Sequence, residues 1–149
     1  TKALEHRLEN FFLKKNTLFV NDSKGTNVES TIKAIEAFKN KVVLIAGGEN
    51  KKICNDELIK KINERVGFVY LIGETGAILA EEMEKIGYKK YKNLGTLEKV
   101  LVDIKENLDF EDSQTILFSP ATASFDQFKN FEERGRIFKE LTNKILGEK

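Results

Sequence analysis

The sequence predicts an α/β fold, a doubly wound and mostly parallel six-stranded sheet with one antiparallel strand. Three observations predict it. Short continuous runs of β-branched and aliphatic residues, such as Val42 to Ala46 and Phe68 to Ile72, suit strands covered on both faces. Between such runs the apolar residues recur at helical spacing. Gly and Asn mark the places where one period gives way to the other.

Taken in order, Leu8 to Leu13 reads as a strand, Lys15-Asn16 as a turn, and Thr17 to Val20 as its antiparallel neighbour. Thr26-x-x-Glu29 has the form of a capping box before Val28, Ile32, Ile35 and Phe38, an apolar stripe on a helix. Val42 to Ala46 follows as a strand, and Asn55 is placed to cap a helix that buries Leu58, Ile59, Ile62 and Val66. Phe68 to Ile72 is the next strand. Thr75 opens a helix with Ile78, Leu79, Met83 and Ile86 turned inward. Tyr88 to Tyr91 reads as a short polar strand near an edge, and Thr96 caps a helix carrying Leu97, Val100, Leu101, Ile104 and Leu108. Thr115 to Phe118 is the last strand, and Phe131, Phe138, Leu141 and Ile145 mark a final helix. Alternation at this spacing predicts one three-layer, Rossmann-like domain over residues 1–149.

Composition narrows the function. The 149 residues carry 25 Lys+Arg against 24 Asp+Glu, a formal charge of +1, so nothing steers the chain toward nucleic acid or an anionic membrane. The apolar runs are too short to span a bilayer, and no charged-then-apolar leader opens the chain. With one Cys (Cys54) and one His (His6), neither an internal disulfide nor a His/Cys metal site is expected. A soluble, cytoplasmic, monomeric protein is the expectation.

Position is the more informative signal. Asn21–Asn27, Gly47–Lys52, Gly73–Gly76 and Ser119–Ser124 each follow a strand expected to be parallel, so all four lie at one carboxyl edge, where open α/β sheets bind ligands. The Gly73–Gly76 turn reads as a plain strand-to-helix connection. The other three contribute Lys24 and Lys51 as cations and Ser23, Thr26 and Ser124 as hydroxyl donors. Helix amino termini follow them. Such a set suits a ligand with several carboxylates or phosphates. No G-x-x-x-x-G-K-[ST] and no G-x-G-x-x-G after a strand occurs, so a nucleotide would be gripped only in part.

Two motifs then become recognisable. Asn21-Asp22-Ser23-Lys24-x-Thr26-Asn27 and the long run Ser119-Pro120-Ala121-x-Ala123-Ser124-Phe125-Asp126-Gln127-Phe128-x-Asn130-Phe131-x-x-Arg134-Gly135-x-x-Phe138 closely resemble the carboxy-terminal domain of the Mur ligase family, in its D-glutamate-adding branch. His6-Arg7-Leu8-Glu9 is similar to that family's junction with the preceding central domain. The likeness is colinear over essentially the whole chain. An Asn-Pro-Arg motif, expected of the diaminopimelate-adding branch, is absent.

The resemblance implies an ATP-dependent ligase of peptidoglycan synthesis. In such an enzyme the terminal carboxylate of UDP-N-acetylmuramoyl-L-alanine is phosphorylated to an acyl phosphate, and the amine of D-glutamate then attacks it. The phosphate loop, the Mg2+ ligands and most of the ATP contacts belong to a central domain, and the UDP site to an amino-terminal one, neither within this chain. The isolated domain is therefore expected to be inactive. By the same resemblance Lys51, or its neighbour Lys52, pairs with one carboxylate of D-glutamate with help from Thr26, while Ser124 and backbone groups near Phe125 and Phe131 hold the other. Charged hydrogen bonds of this kind contribute roughly 1.5–3 kcal/mol each. Lys24 is similar to the lysine beside the transferring phosphoryl group, Asp22 to the acceptor of the ribose hydroxyls, and Arg7 to the arginine that reaches the nucleotide from the junction. Arg134 and Asp126 are expected to pair with each other or brace the last helix. Thr122 stands where many members have Cys, and Phe125 where some have Leu. The alternatives are a carboxy-terminal domain of another Mur or folylpolyglutamate-type ligase, or a stand-alone flavodoxin-like binding module.

Overall fold

A computed structural model describes residues 5–49, 55–122 and 127–147. Its elements run β1 (Glu9–Lys14), β2 (Thr17–Asn21), α1 (Val28–Glu36), β3 (Lys41–Gly48), α2 (Asp56–Arg65), β4 (Val66–Gly73), α3 (Thr75–Lys85), β5 (Tyr91–Gly95), α4 (Leu97–Asn107), β6 (Gln114–Phe118) and α5 (Phe131–Leu146). The six strands form one sheet in the order β1-β2-β6-β3-β4-β5. Only β1 is antiparallel, to β2; the other pairings are parallel.

Strand alternation divides the core in two. Val42, Leu44 and Ala46 of β3 face the helices α1, α2 and α3, packing with Ala34, Leu58, Ile62, Leu79 and Met83. Val43 and Ile45 point the other way, into a second core with Leu101 and Ile104 of α4 and Phe138 of α5. The handedness of parallel crossovers explains this division. Strands β2, β3, β4 and β5 advance across the sheet in one direction, so their connecting helices share a face. The return from β5 to β6 reverses direction, which sends α4 to the opposite face, where α5 joins it. Each fully buried aliphatic side chain in these cores contributes about 1.5–3 kcal/mol.

Several local expectations are corrected. The cap of α1 is Asn27, whose Oδ1 accepts from the Ser30 N–H at 2.8 Å, so Thr26 is not the capping residue. Asn27 has the extended backbone a cap requires, with Val28 as the first helical residue. Asn55 precedes α2, but its side chain makes no capping bond and donates instead to Glu82 Oε1 at 3.1 Å. The edge strand β5 begins at Tyr91, three residues later than expected. Tyr88 is instead a core residue whose hydroxyl donates to the Val66 carbonyl at 3.0 Å. Val66 opens β4, Phe38 lies beyond α1, and Ile86 lies beyond α3 and is half exposed. Thr96 caps α4 by accepting from Lys99 N–H at 3.3 Å, and Asn130 caps α5. Cys54 lies outside the described residues. No helix among the described residues is long and apolar enough to cross a membrane.

Candidate functional site

Parallel pairing puts the carboxyl ends of β2, β6, β3 and β4 on one rim. Helices leave β2 and β3 toward one face and β6 toward the other, so a crevice opens on each side of the β6 end. Backbone hydrogen bonds stitch the rim together. Asp22 N–H donates to the Phe118 carbonyl, Ala121 N–H to Gly25, and Gly47 N–H to Pro120, all within 2.8–2.9 Å. Residues 22–25 and 118–121 are thus neighbours, and the loops expected to converge from the sequence do so as far as they are described. Thr75 Oγ1 accepts from Gly48 N–H at 2.9 Å, consistent with a structural turn at Gly73–Gly76.

On the β2 side lies a cleft of about 220 Å³ lined by Arg7, Leu8, Asp22, Lys24, Gly25, Ser30, Lys33 and Ala34. Three residues singled out from the sequence, Arg7, Asp22 and Lys24, therefore share one concavity. Asp22 is buried at its floor, where Oδ1 accepts from Leu8 N–H at 3.0 Å and Oδ2 from the Ser119 hydroxyl at 2.7 Å. Since the Ser119 proton goes to Asp22, Thr31 donates in turn to Ser119 Oγ, at 2.8 Å, which ties α1 to the end of β6. Lys24 is exposed; its N–H donates to the His6 carbonyl at 2.9 Å, and its Nζ stands 5.6 Å from the centre of the Phe131 ring. Thr26 is half-buried, and no hydrogen bond among the described residues uses its hydroxyl. Lys51, Lys52, Ser124, Phe125 and Asp126 lie outside the described residues. In the chain they follow β3 and β6, which are paired strands with Ile45 opposite Phe118.

Ser23 departs from its expected role. It is fully buried and its hydroxyl donates to the Phe131 carbonyl at 2.8 Å while accepting from Arg134 Nε at 2.9 Å, so it serves the loop and not a ligand. Arg134, also fully buried, donates through Nη2 to the Ser23 carbonyl at 2.6 Å and through Nη1 to the Thr122 carbonyl at 3.0 Å. It braces more than its own helix: one guanidinium joins the loops after β2 and β6. Gly135 follows it because α5 passes close to His6; a Cβ there would stand 2.2 Å from His6 Nδ1. That nitrogen accepts from Asn21 Nδ2 at 2.9 Å.

Electrostatics separates the floor of the cleft from its surroundings. Burial pushes the Asp22 carboxyl above its usual value of 3.8, while Ser119, Leu8 N–H and the charge of Arg7 pull it back in part. For Glu9, burial also works against the charge, but hydrogen bonds from His6 N–H, Lys139 and Asn21 outweigh it and hold the carboxyl low. The signs differ. Asp22 binds its proton more tightly in the folded chain, so its ionisation costs stability at neutral pH, and that cost is relieved as pH falls through its folded pKa. Glu9 contributes stability above its unfolded pKa and loses it as pH falls through its depressed one. Carbon-detected NMR titration should accordingly give Asp22 a midpoint above 3.8, raised further by Arg7→Ala; a midpoint below 3.8 would contradict this placement.

Lys33 and Ser30 were not anticipated as cleft residues. At helical spacing a lysine reads as a solvated position, and only the approach of α1 to the 22–25 loop reveals otherwise. Glu5, His6 and Glu9 lie close enough to suggest a cation site, yet Lys139 Nζ already bridges Glu5 at 2.8 Å and Glu9 at 3.0 Å.

Comparison with known proteins identifies the family. Residues 6–122 match the family model described as Mur ligase, glutamate ligase domain. The UDP-N-acetylmuramoylalanine–D-glutamate ligase of Fusobacterium nucleatum is 44% identical over 146 residues, covering 97% of this chain and 34% of that protein. The enzyme of the same name from Thermoanaerobacter sp. (strain X514) is 45% identical, covering 97% of this chain and 32% of that one. The chain thus spans about a third of the length of the curated relatives it matches. Among solved structures, MurF ligase from Thermotoga maritima in complex with ADP superposes with a TM-score of 0.60 at 19% identity, covering 99% of this chain and 32% of that one. A bifunctional folylpolyglutamate synthase/dihydrofolate synthase from Yersinia pestis gives 0.59 at 16% identity, over 93% of this chain and 31% of that one, a likeness of fold alone. With a family model that spans most of its length and relatives of one name at more than two-fifths identity, the chain belongs to the Mur ligase family, as its carboxy-terminal, glutamate ligase domain.

Proposed function

We propose that this chain is the amino-acid-delivering domain of a longer, three-domain cytoplasmic ligase that uses ATP to join D-glutamate to UDP-N-acetylmuramoyl-L-alanine. The observation that carries the reading is the cleft that gathers Arg7, Asp22 and Lys24 beside the β2–β6 crevice. A polyphosphate ester suits it. Cations meet the phosphates, and the Asp22 carboxylate, already oriented by Leu8 and Ser119, retains lone pairs for ribose hydroxyls. The names carried by the relatives support D-glutamate as the amino acid.

In this reading Lys24, held beside Phe131 with its backbone anchored on His6, places a positive charge where the γ-phosphoryl group passes from ATP to the precursor carboxylate. The second crevice, between β6 and β3, receives D-glutamate, with Lys51 (or Lys52) and Thr26 on one carboxylate and Ser124, Phe125 and Phe131 on the other. Its amine then displaces phosphate from the acyl phosphate, leaving an amide. Closure against the central domain completes both half-sites. Mg2+ is assigned to the central domain, as the family resemblance implies; the described cleft offers a single carboxylate, Asp22.

In the full-length ligase, Lys24→Ala should lower kcat by about 10²-fold or more, with little change in unfolding midpoint, because removing a charge aimed at the transition state has effects of that order. Phosphate release measured with precursor, ATP and D-glutamate provides the assay. The same assay on the isolated chain should detect no turnover. Turnover by the chain alone, or a stronger response to L-glutamate or another amino acid, would overturn the reading.

A further inference from the structure

The described cleft is more basic than the family motif alone requires. Besides Arg7 and Lys24 it is lined by Lys33, on the second turn of α1, with Ser30 one turn before it. Three cations face one buried carboxylate there, in a chain whose formal charge is only +1. No ion pair among the described residues includes Lys33: Glu36, one turn on, is engaged by Lys61 at 2.7 Å, and Glu29, one turn before, lies on the outer side of α1 with Glu57 without bridging to Lys33. The Ser30 N–H is used by the Asn27 cap, but no described hydrogen bond uses its hydroxyl, so this stretch of α1 presents a donor and a cation together.

We propose that Lys33 is a further nucleotide-contacting residue of this chain, taking an anionic phosphate oxygen of ATP from the α1 wall of the cleft. The inference rests on the reading of this cleft as the nucleotide half-site and adds to Arg7 and Lys24 a third cation for its phosphates. An ammonium on a flexible stem has no acceptor of comparable strength on the base or ribose, whereas each phosphate carries charged oxygens. Its contribution is to binding, since nothing directs Lys33 at the bond that breaks.

The test uses the full-length ligase with Lys33→Ala, Lys33→Arg, Lys24→Ala and Asp22→Asn. Lys33→Ala should raise the KM for ATP about 3- to 10-fold, less than a buried charged hydrogen bond because Lys33 is exposed and screened by solvent, with kcat within about twofold and the KM for D-glutamate unchanged. Lys33→Arg should restore most of the loss. The inhibition constant of ADP should rise in step, while that of adenosine, which lacks phosphate, should stay put. An unchanged KM for ATP, or an equal loss for adenosine and ADP, overturns the proposal. If Lys24→Ala and Asp22→Asn also leave ATP kinetics untouched, the cleft is not the nucleotide half-site at all. If they act and Lys33→Ala does not, the assignment of Lys33 alone is wrong.

Discussion

Replacing Gly47 by alanine should destabilise the chain by about 3–5 kcal/mol, enough to leave little folded protein in a domain of ordinary stability. Two independent costs meet at this residue. Its φ of +117° lies where L side chains are strained. A Cβ would also stand 2.0 Å from the Ile72 carbonyl oxygen. That oxygen belongs to the backbone of β4, paired with β3 through Gly47 itself, so the neighbour cannot yield without breaking a central ladder. Gly87→Ala supplies the control. Its φ of +80° is also unfavourable, but nothing lies within 4 Å of the new methyl, so about 1 kcal/mol should be lost. Urea unfolding of both variants measures the difference. A Gly47→Ala midpoint no lower than that of Gly87→Ala would refute the close-contact argument.

The second large effect is expected at Arg134. Its guanidinium is fully buried and bonds the Ser23 hydroxyl, the Ser23 carbonyl and the Thr122 carbonyl while lying 6.0 Å from the Phe118 ring centre. Truncation to Leu removes these three hydrogen bonds at once and deprives buried carbonyls of a partner, a loss of about 3–5 kcal/mol. Lys keeps the charge but not the planar fork, so Arg134→Lys should recover only a minor part. Hydrogen exchange adds a spatial readout. Amides at 22–25, whose loop is pinned by this side chain, should exchange faster in Arg134→Lys, while those of β4 keep their protection. If Arg134→Lys matches the parent in both measurements, the fork is not what holds the loops.

The layout of the sheet was legible because its strands are runs that no helix of this length would display. Val42 to Ala46 has no polar face at all, and both of its sides proved buried. The rim was legible for the same reason: once strands are parallel, the positions of Asp22, Gly48 and Ser119 follow. Finer features depended on competition the sequence does not resolve. Thr26 and Asn27 are both capping residues, and the winner is the one whose backbone turns into α1. Tyr88 looked like edge-strand polarity, yet its hydroxyl is the part that satisfies a core carbonyl. Arg134 was expected to pair with Asp126 or brace its helix, and Asp126 lies outside the described residues; that its reach extends to Ser23 and Thr122 required the tertiary approach of both loops. Lys33 gave no local signal, because Arg7, Asp22 and Lys24, which line the cleft with it, precede α1 and meet it only through the tertiary fold.

The place of β6 between β2 and β3 governs how the molecule can be assembled. Those two strands do not pair with each other; each pairs with β6, the last of the six strands of this sheet to be synthesised. Until residues 114–118 are in place, the β1–β2 hairpin and the β3–β4–β5 unit have no shared ladder, and the cleft floor lacks Ser119. A nascent chain should therefore hold a compact middle segment with its hairpin unattached, and the binding rim should be among the final features to form.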